Sequence, residues 1–300
     1  MAVVKTKTVN RTGKSLVKKA LVVKAKGQST ITTENIKRQN EKLEAEKKAK
    51  LQTLNSKEVE KTEVEKLKED KKYELTIGLK DLLEAGCHLG HKVSKTHPKA
   101  KENIYVAKDG IQIVDLTKTL KALEKACNFV YNAQRNGKKI VLVGTKRQAR
   151  EVVRRVAMEA GVAYVTDRWL GGTITNWEQI RKDIRKLIEM KDGLAKGKYT
   201  ESTKKEILEM NKEVIRLEKI IGGLVTLDKM FDIIFVVDPG FEKTAVREAK
   251  LRKIKIVAIA DTDSDPRKVD FAVPANDDNV KSVSLIVEEI GKAIKAAGVK

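Results

Sequence analysis

K-I-V-L-V-G-T-K-R-Q-A-R-E-V-V-R-R-V-A-M-E-A-G-V-A-Y-V, residues 139–165, carries the pattern of the whole fold in one strand–helix–strand unit. Its first six residues are an apolar run without polar alternation, which predicts a strand buried on both faces. Residues 147–160 then place apolar side chains at helical spacing, and Gly161 stands where the helix should stop. Residues 162–165 return to a short strand-like run. The rhythm recurs downstream, with predicted strands at 232–238 (DIIFVVD), 255–261 (KIVAIAD) and 269–274. Helices are expected between them at about 241–251 and after them at 279–297. Near-continuous Val/Ile strands separated by helices predict a parallel sheet covered on both faces.

Upstream of this unit the pattern is more varied. TIGLKDLLEAG (76–86) reads as a short helix closed by Gly86, and a loop with His88, His91, His97 and Pro98 follows. Two β runs around Asp109-Gly110 (104–114) give a strong hairpin signal. Asp115 or Thr117 can cap the next helix, whose stripe includes Leu120, Leu123, Ala126, Cys127, Val130 and Tyr131. Residues 176–222 break the strand–helix rhythm, being helical in pattern except around 192–203. Ile180, Ile184, Leu187 and Ile188 can face Ile207, Met210, Val214, Leu217 and Ile221 across an antiparallel helical hairpin protruding from the sheet domain. Its outer faces carry Arg181, Lys182, Arg185 and Lys186.

Charge narrows the class of partner. Lys plus Arg outnumber Asp plus Glu by 63 to 42, a formal net charge of +21, with pI ≈ 9.7, as expected for a chain that meets a polyanion. The first 38 residues hold ten Lys or Arg against a single acid, Glu34, and residues 41–72 become a mixed Glu/Lys run. Residues 1–72 therefore read as a basic extension, disordered or a solvated helix, with an organelle presequence the lesser alternative. No apolar run approaches the ~20 residues of a membrane span, so no membrane partner is expected. Two cysteines, Cys87 and Cys127, are too few for a disulfide framework.

The sequence offers little catalytic chemistry. VGTKRQ (143–148) joins a strand end to a helix start, but neither a P-loop nor a dinucleotide fingerprint is present, so no cofactor or small-molecule substrate is expected. Lys146 and the helix after it are more telling. Arg147, Arg150 and Arg154 recur at i, i+3, i+7 as a basic ridge for phosphates, unless Glu151 and Glu159 simply pair that face. Asp261, Asp263 and Asp265 fail as a calcium loop, because Pro266 takes the glycine position. A magnesium-dependent phosphohydrolase using Asp261 and Asp263 is the enzymatic alternative, against a structural role as turn caps. Cys87-His88-x-x-His91 lacks partners for a single-chain metal site, so no metal is expected. In a loop with Lys92, Lys95, Lys99 and Lys101, His88 and His91 suit RNA contacts equally well.

Both tryptophans fall in RWLGGTITNW (168–177), around Gly171-Gly172. Arg168 and Trp169 offer a cation and a π face suited to phosphates and unstacked bases, with Thr173 and Asn176 beside them. The competing reading makes Trp169 a core anchor at a tight turn.

Taken together, LLEAGCHLGH, DGIQIVDLTKTL, VGTKRQA, RWLGGTITNW and VAIADTDSDP…VDFAVPANDD resemble, in order, the family of bacterial-type ribosomal protein two of the small subunit. The resemblance covers roughly residues 73–291. It implies a flavodoxin-like three-layer α/β sandwich over 73–176 and 223–300, with an antiparallel coiled-coil hairpin inserted at 177–222. It also implies a structural, non-enzymatic constituent of the cytoplasmic ribosome, contacting small-subunit rRNA near the head–body junction and neighbouring small-subunit proteins. The mRNA-binding ribosomal protein one is a further implied partner. The candidate RNA-facing residues are then His88, His91, Lys92, Lys95, Lys99, Lys146, Arg147, Arg150, Arg154, Arg168, Trp169, Thr173, Asn176, Arg181 and Arg185.

Overall fold

The computed structural model describes residues 72–197, 199 and 203–298; the basic extension expected over 1–72 lies outside the described residues, Lys72 excepted. Helix α1 (Leu79–Glu84) starts where the Gly78 N–H donates to Asp81 Oδ2 at 2.7 Å. Then come β1 (Leu89–Lys92), two 3-10 turns (Val93–Lys95 and Pro98–Asn103), β2 (Ile104–Lys108) and β3 (Ile111–Val114). These strands form a small antiparallel sheet in the order β1-β3-β2. Asp109 and Gly110 both have positive φ (52° and 76°), the turn that the hairpin signal called for. β1 corrects the expected loop around His88 and His91. It pairs by backbone, with Leu89 opposite Ile113 and Lys92 opposite Ile111, and its LGHK sequence has no alternation to announce a strand.

Helix α2 (Leu116–Arg135) is capped by Asp115, which accepts the Thr117 N–H at 2.9 Å. The alternating half follows as β4 (Ile140–Val143), α3 (Arg150–Ala160) and β5 (Ala163–Val165). After it come α4 (Trp177–Ala195), α5 (Lys204–Ile221), β6 (Ile233–Val237) and α6 (Lys243–Leu251). β7 (Lys255–Ala260), β8 (Phe271–Pro274) and α7 (Val280–Gly298) complete it. Helix α3 ends as expected at Gly161, with φ 66°, but begins three residues later than expected. Lys146 accepts the N–H groups of Ala149 and Arg150 in a turn, so Arg147 sits on that turn, off the face shared by Arg150 and Arg154.

β4 to β8 form one parallel sheet in the order β5-β4-β6-β7-β8. Within this sheet that is the order 2-1-3-4-5, which fits the expected flavodoxin-like fold. Strand alternation splits its side chains between two cores. Ile140, Leu142, Ile233, Phe235, Val257 and Ile259 pack with Leu123 and Val130 of α2, Val153 of α3, and Ile286 and Ile290 of α7. Val141, Val143, Ile234, Val236, Ile256 and Ala258 pack on the other face with Ala245 and Ala249 of α6. Ile180, Ile184 and Leu187 of α4 and Val214 and Ile221 of α5 join this second core. Each such aliphatic side chain contributes about 1.5–3 kcal/mol on burial, so both layers hold the sheet firmly. Lys186 pairs with Glu213 at 3.8 Å, and Lys191 pairs with Glu218, across α4 and α5.

Candidate nucleic-acid interface

At the carboxyl ends of the parallel strands, the loops bring five aspartates together. Lys146, just past β4, sends its Nζ to Asp238 Oδ2 (2.6 Å), Asp277 Oδ1 (2.8 Å) and Asp278 Oδ1 (3.0 Å). Burial alone would lower its pKa, but Asp277 and Asp238 outweigh that and keep the lysine charged. Asp238 has φ 63°, and its Oδ1 accepts the N–H groups of Gly240 and Phe241. His91 enters from β1, with Nδ1 3.0 Å from Asp261 Oδ2 (an ion-pair approach that misses hydrogen-bond alignment) and Nε2 3.3 Å from Asp278 Oδ2. The Asp261 carboxylate is the main cause that carries its pKa up to about 9, against burial. Asp277 is pushed up to about 8 by burial and by Asp238, and its Oδ2 has no hydrogen-bond partner. Oxygens of Asp238, Asp263 and Asp277 lie within 4.8 Å of one another, close enough to share a cation.

A second buried carboxylate organises the tryptophan loop. Glu248 of α6 accepts the N–H groups of Gly172 (2.7 Å), Ile174 (3.0 Å) and Thr175 (3.1 Å), the Thr175 hydroxyl and the Trp169 indole N–H. Burial would raise its pKa, yet the Gly172, Ile174 and Thr175 donors overturn that and hold it below the usual range. One turn on, Arg252 donates to the Thr175 carbonyl at 3.0 Å. Gly172 has φ 95°, a conformation that side chains other than glycine rarely adopt, and this aims its N–H at Glu248.

A different set of cations faces outward. Lys92, Lys95, Lys99, Arg147, Arg154, Arg168, Arg181 and Arg185 are exposed, and none pairs with a carboxylate among the described residues. The family model described as ribosomal protein S2 matches residues 82–297, well over half of the chain. The chain belongs to the ribosomal protein S2 family. It is accordingly a structural constituent of the small ribosomal subunit, and the S2 family is not an enzyme family. The phosphohydrolase alternative finds no support, since Asp261 is buried and faces His91. Among the described residues no helix is long and apolar enough to cross a membrane.

Within this S2-family chain, the sequence-derived site residues divide by what they touch. Trp169 and Thr173 are buried, so the loop presents neither a π face nor that hydroxyl to a partner. Lys146 and His91 spend their charge on the strand-end aspartates. Arg150 is tied to the Thr145 carbonyl at 2.9 Å and lies 3.6 Å from Asp167. His88 is half-buried, with an unpartnered Nδ1, while Asn176 is exposed. Beside His88, burial pushes the Cys87 thiol up, away from the thiolate a metal would need. Glu248, which sequence reading missed, left one signal: it lies on the apolar side of α6, between Ala245 and Ala249.

Proposed function

We propose that this chain binds small-subunit rRNA through the eight exposed cations, with the parallel sheet as their rigid mount. The observation that carries this is the separation of charge in a member of the S2 family. Some cations are neutralised internally at the strand ends, whereas Lys92, Lys95, Lys99, Arg147, Arg154, Arg168, Arg181 and Arg185 are exposed and unpaired among the described residues. Exposed unpaired guanidinium and ammonium groups are what a phosphate backbone displaces counterions to reach. Residues 73–176 and 223–300 serve as the sandwich, and 177–222 as a coiled-coil hairpin reaching from it. The site on the cytoplasmic ribosome is the head–body junction, where the chain also helps hold the mRNA-binding ribosomal protein one. Residues 1–72 add a basic arm.

Binding of the full chain to small subunits stripped of it should weaken steeply as salt rises. Charge removal at Arg147, Arg154 and Arg168 together should flatten that slope. A flat salt dependence for the unchanged chain would refute the electrostatic reading.

A further inference from the structure

Between the β4–α3 turn and the β6–α6 turn lies a cleft of about 320 Å³. Thr145, Arg150, Arg168, Phe241, Glu242 and Thr244 line it, together with Trp169 and the Asp167 carboxylate, which lies 3.6 Å from Arg150. Phe241 is 61 % exposed at its mouth, an aromatic ring that the core does not use. Its backbone is held still, because the Phe241 N–H donates to Asp238 Oδ1 at 3.0 Å. Arg168 is exposed and has no carboxylate partner among the described residues, while Arg150 is fixed by the Thr145 carbonyl. Deeper in, the Thr145 hydroxyl donates to Glu242, and burial pushes the Glu242 carboxyl up. The position is the switch point of a doubly wound sheet, outside the carboxyl ends of β4 and β6.

We propose that this cleft seats one unstacked nucleotide of rRNA, its base on the Phe241 ring and its phosphate on Arg168. An exposed aromatic beside arginines is the platform on which single-stranded bases stack. Thr145, Glu242 and Thr244 offer hydrogen bonds to a base edge beside the apolar surface of the aromatic ring. The inference rests on the rRNA-binding reading above and adds a defined pocket to it.

The full chain carrying Phe241→p-benzoylphenylalanine, assembled into small subunits and irradiated, should form an adduct with rRNA at an unpaired nucleotide. An adduct with protein, or none in subunits that contain the chain, overturns the proposal. In a second measurement Phe241→Ala should weaken binding to stripped subunits roughly tenfold, with Phe241→Tyr restoring it. Because the ring is exposed, neither change should alter the far-UV spectrum or the unfolding midpoint. Unchanged affinity of Phe241→Ala overturns the proposal. Failure of the unsubstituted chain to rejoin stripped subunits would instead sink the ribosomal reading itself, so the two failures are distinct.

Discussion

Asp277 and Glu248 are both buried carboxylates in a strongly basic chain, and their surroundings push them in opposite directions. Glu248 receives three backbone N–H groups, a hydroxyl and an indole N–H, and its pKa falls. Asp277 receives a single lysine, shares its space with Asp238, keeps one oxygen unpartnered, and rises to about 8. Burial pushes both carboxyls up and is the largest cause at Asp277; at Glu248 the donors outweigh it. The number and direction of donors decide the difference. The tryptophan loop is therefore built around a donor-stabilised carboxylate, whereas the strand-end cluster holds more carboxylate than its cations can satisfy.

The largest test of that contrast is Lys146→Met, which strips the cluster of its main cation. Leaving Asp238 unpaired in a buried site should destabilise the fold by about 3–5 kcal/mol in denaturant titration. A loss below about 1 kcal/mol would mean that Lys146 is not what holds these loops together. Next comes one chemical change made twice. Glu248→Gln should cost on the order of 2–4 kcal/mol, because an amide offers one acceptor where the loop presents several donors. Asp277→Asn should cost less than about 1 kcal/mol or stabilise, since burial and Asp238 already disfavour the charge on that carboxyl. Equal losses from both would erase the distinction.

A smaller effect is expected from acid. The Glu248 pKa is lower in the folded chain than in the unfolded one, so its contribution is complete above the ordinary glutamate range. It is lost as pH falls through the folded value. Tryptophan emission should then shift as Trp169 loosens, and the Glu248→Gln variant should show a shallower acid dependence below about pH 4.3. An identical acid profile in the variant would place the sensitivity elsewhere. Smallest of all, Arg155→Ala removes the exposed pairs with Glu159 and Glu288 and should leave the unfolding midpoint unmoved. A measurable drop there would show that surface pairing contributes more than either buried anion suggests.

Much of the fold was legible because short, near-continuous Val/Ile runs alternate with helix-spaced segments. Residues 139–144, 232–238 and 255–261 read as strands for the same reason that β4, β6 and β7 now form the sheet centre. β1 escaped because its reason for being extended is a backbone ladder with β3, which leaves no mark in LGHK. The start of α3 was placed too early because the Lys146–Ala149 turn carries the same residue types as a helical first turn. The interface was less legible than the fold. Trp169, Lys146 and His91 are residue types that contact RNA, and they equally serve as an anchor and as counter-charges. Type and spacing do not say which way a side chain points; that depends on partners such as Glu248 and Asp277, some seventy to a hundred and thirty positions away in sequence.

Asp238 joins the two ends of this molecule's chemistry. One of its oxygens holds the Lys146 ammonium and the other holds the peptide that carries the Phe241 ring. A single side chain thus ties the cation of one loop to the backbone of the next. Disturbing the charge on one side of the crevice should therefore be felt at the peptide that carries the ring on the other.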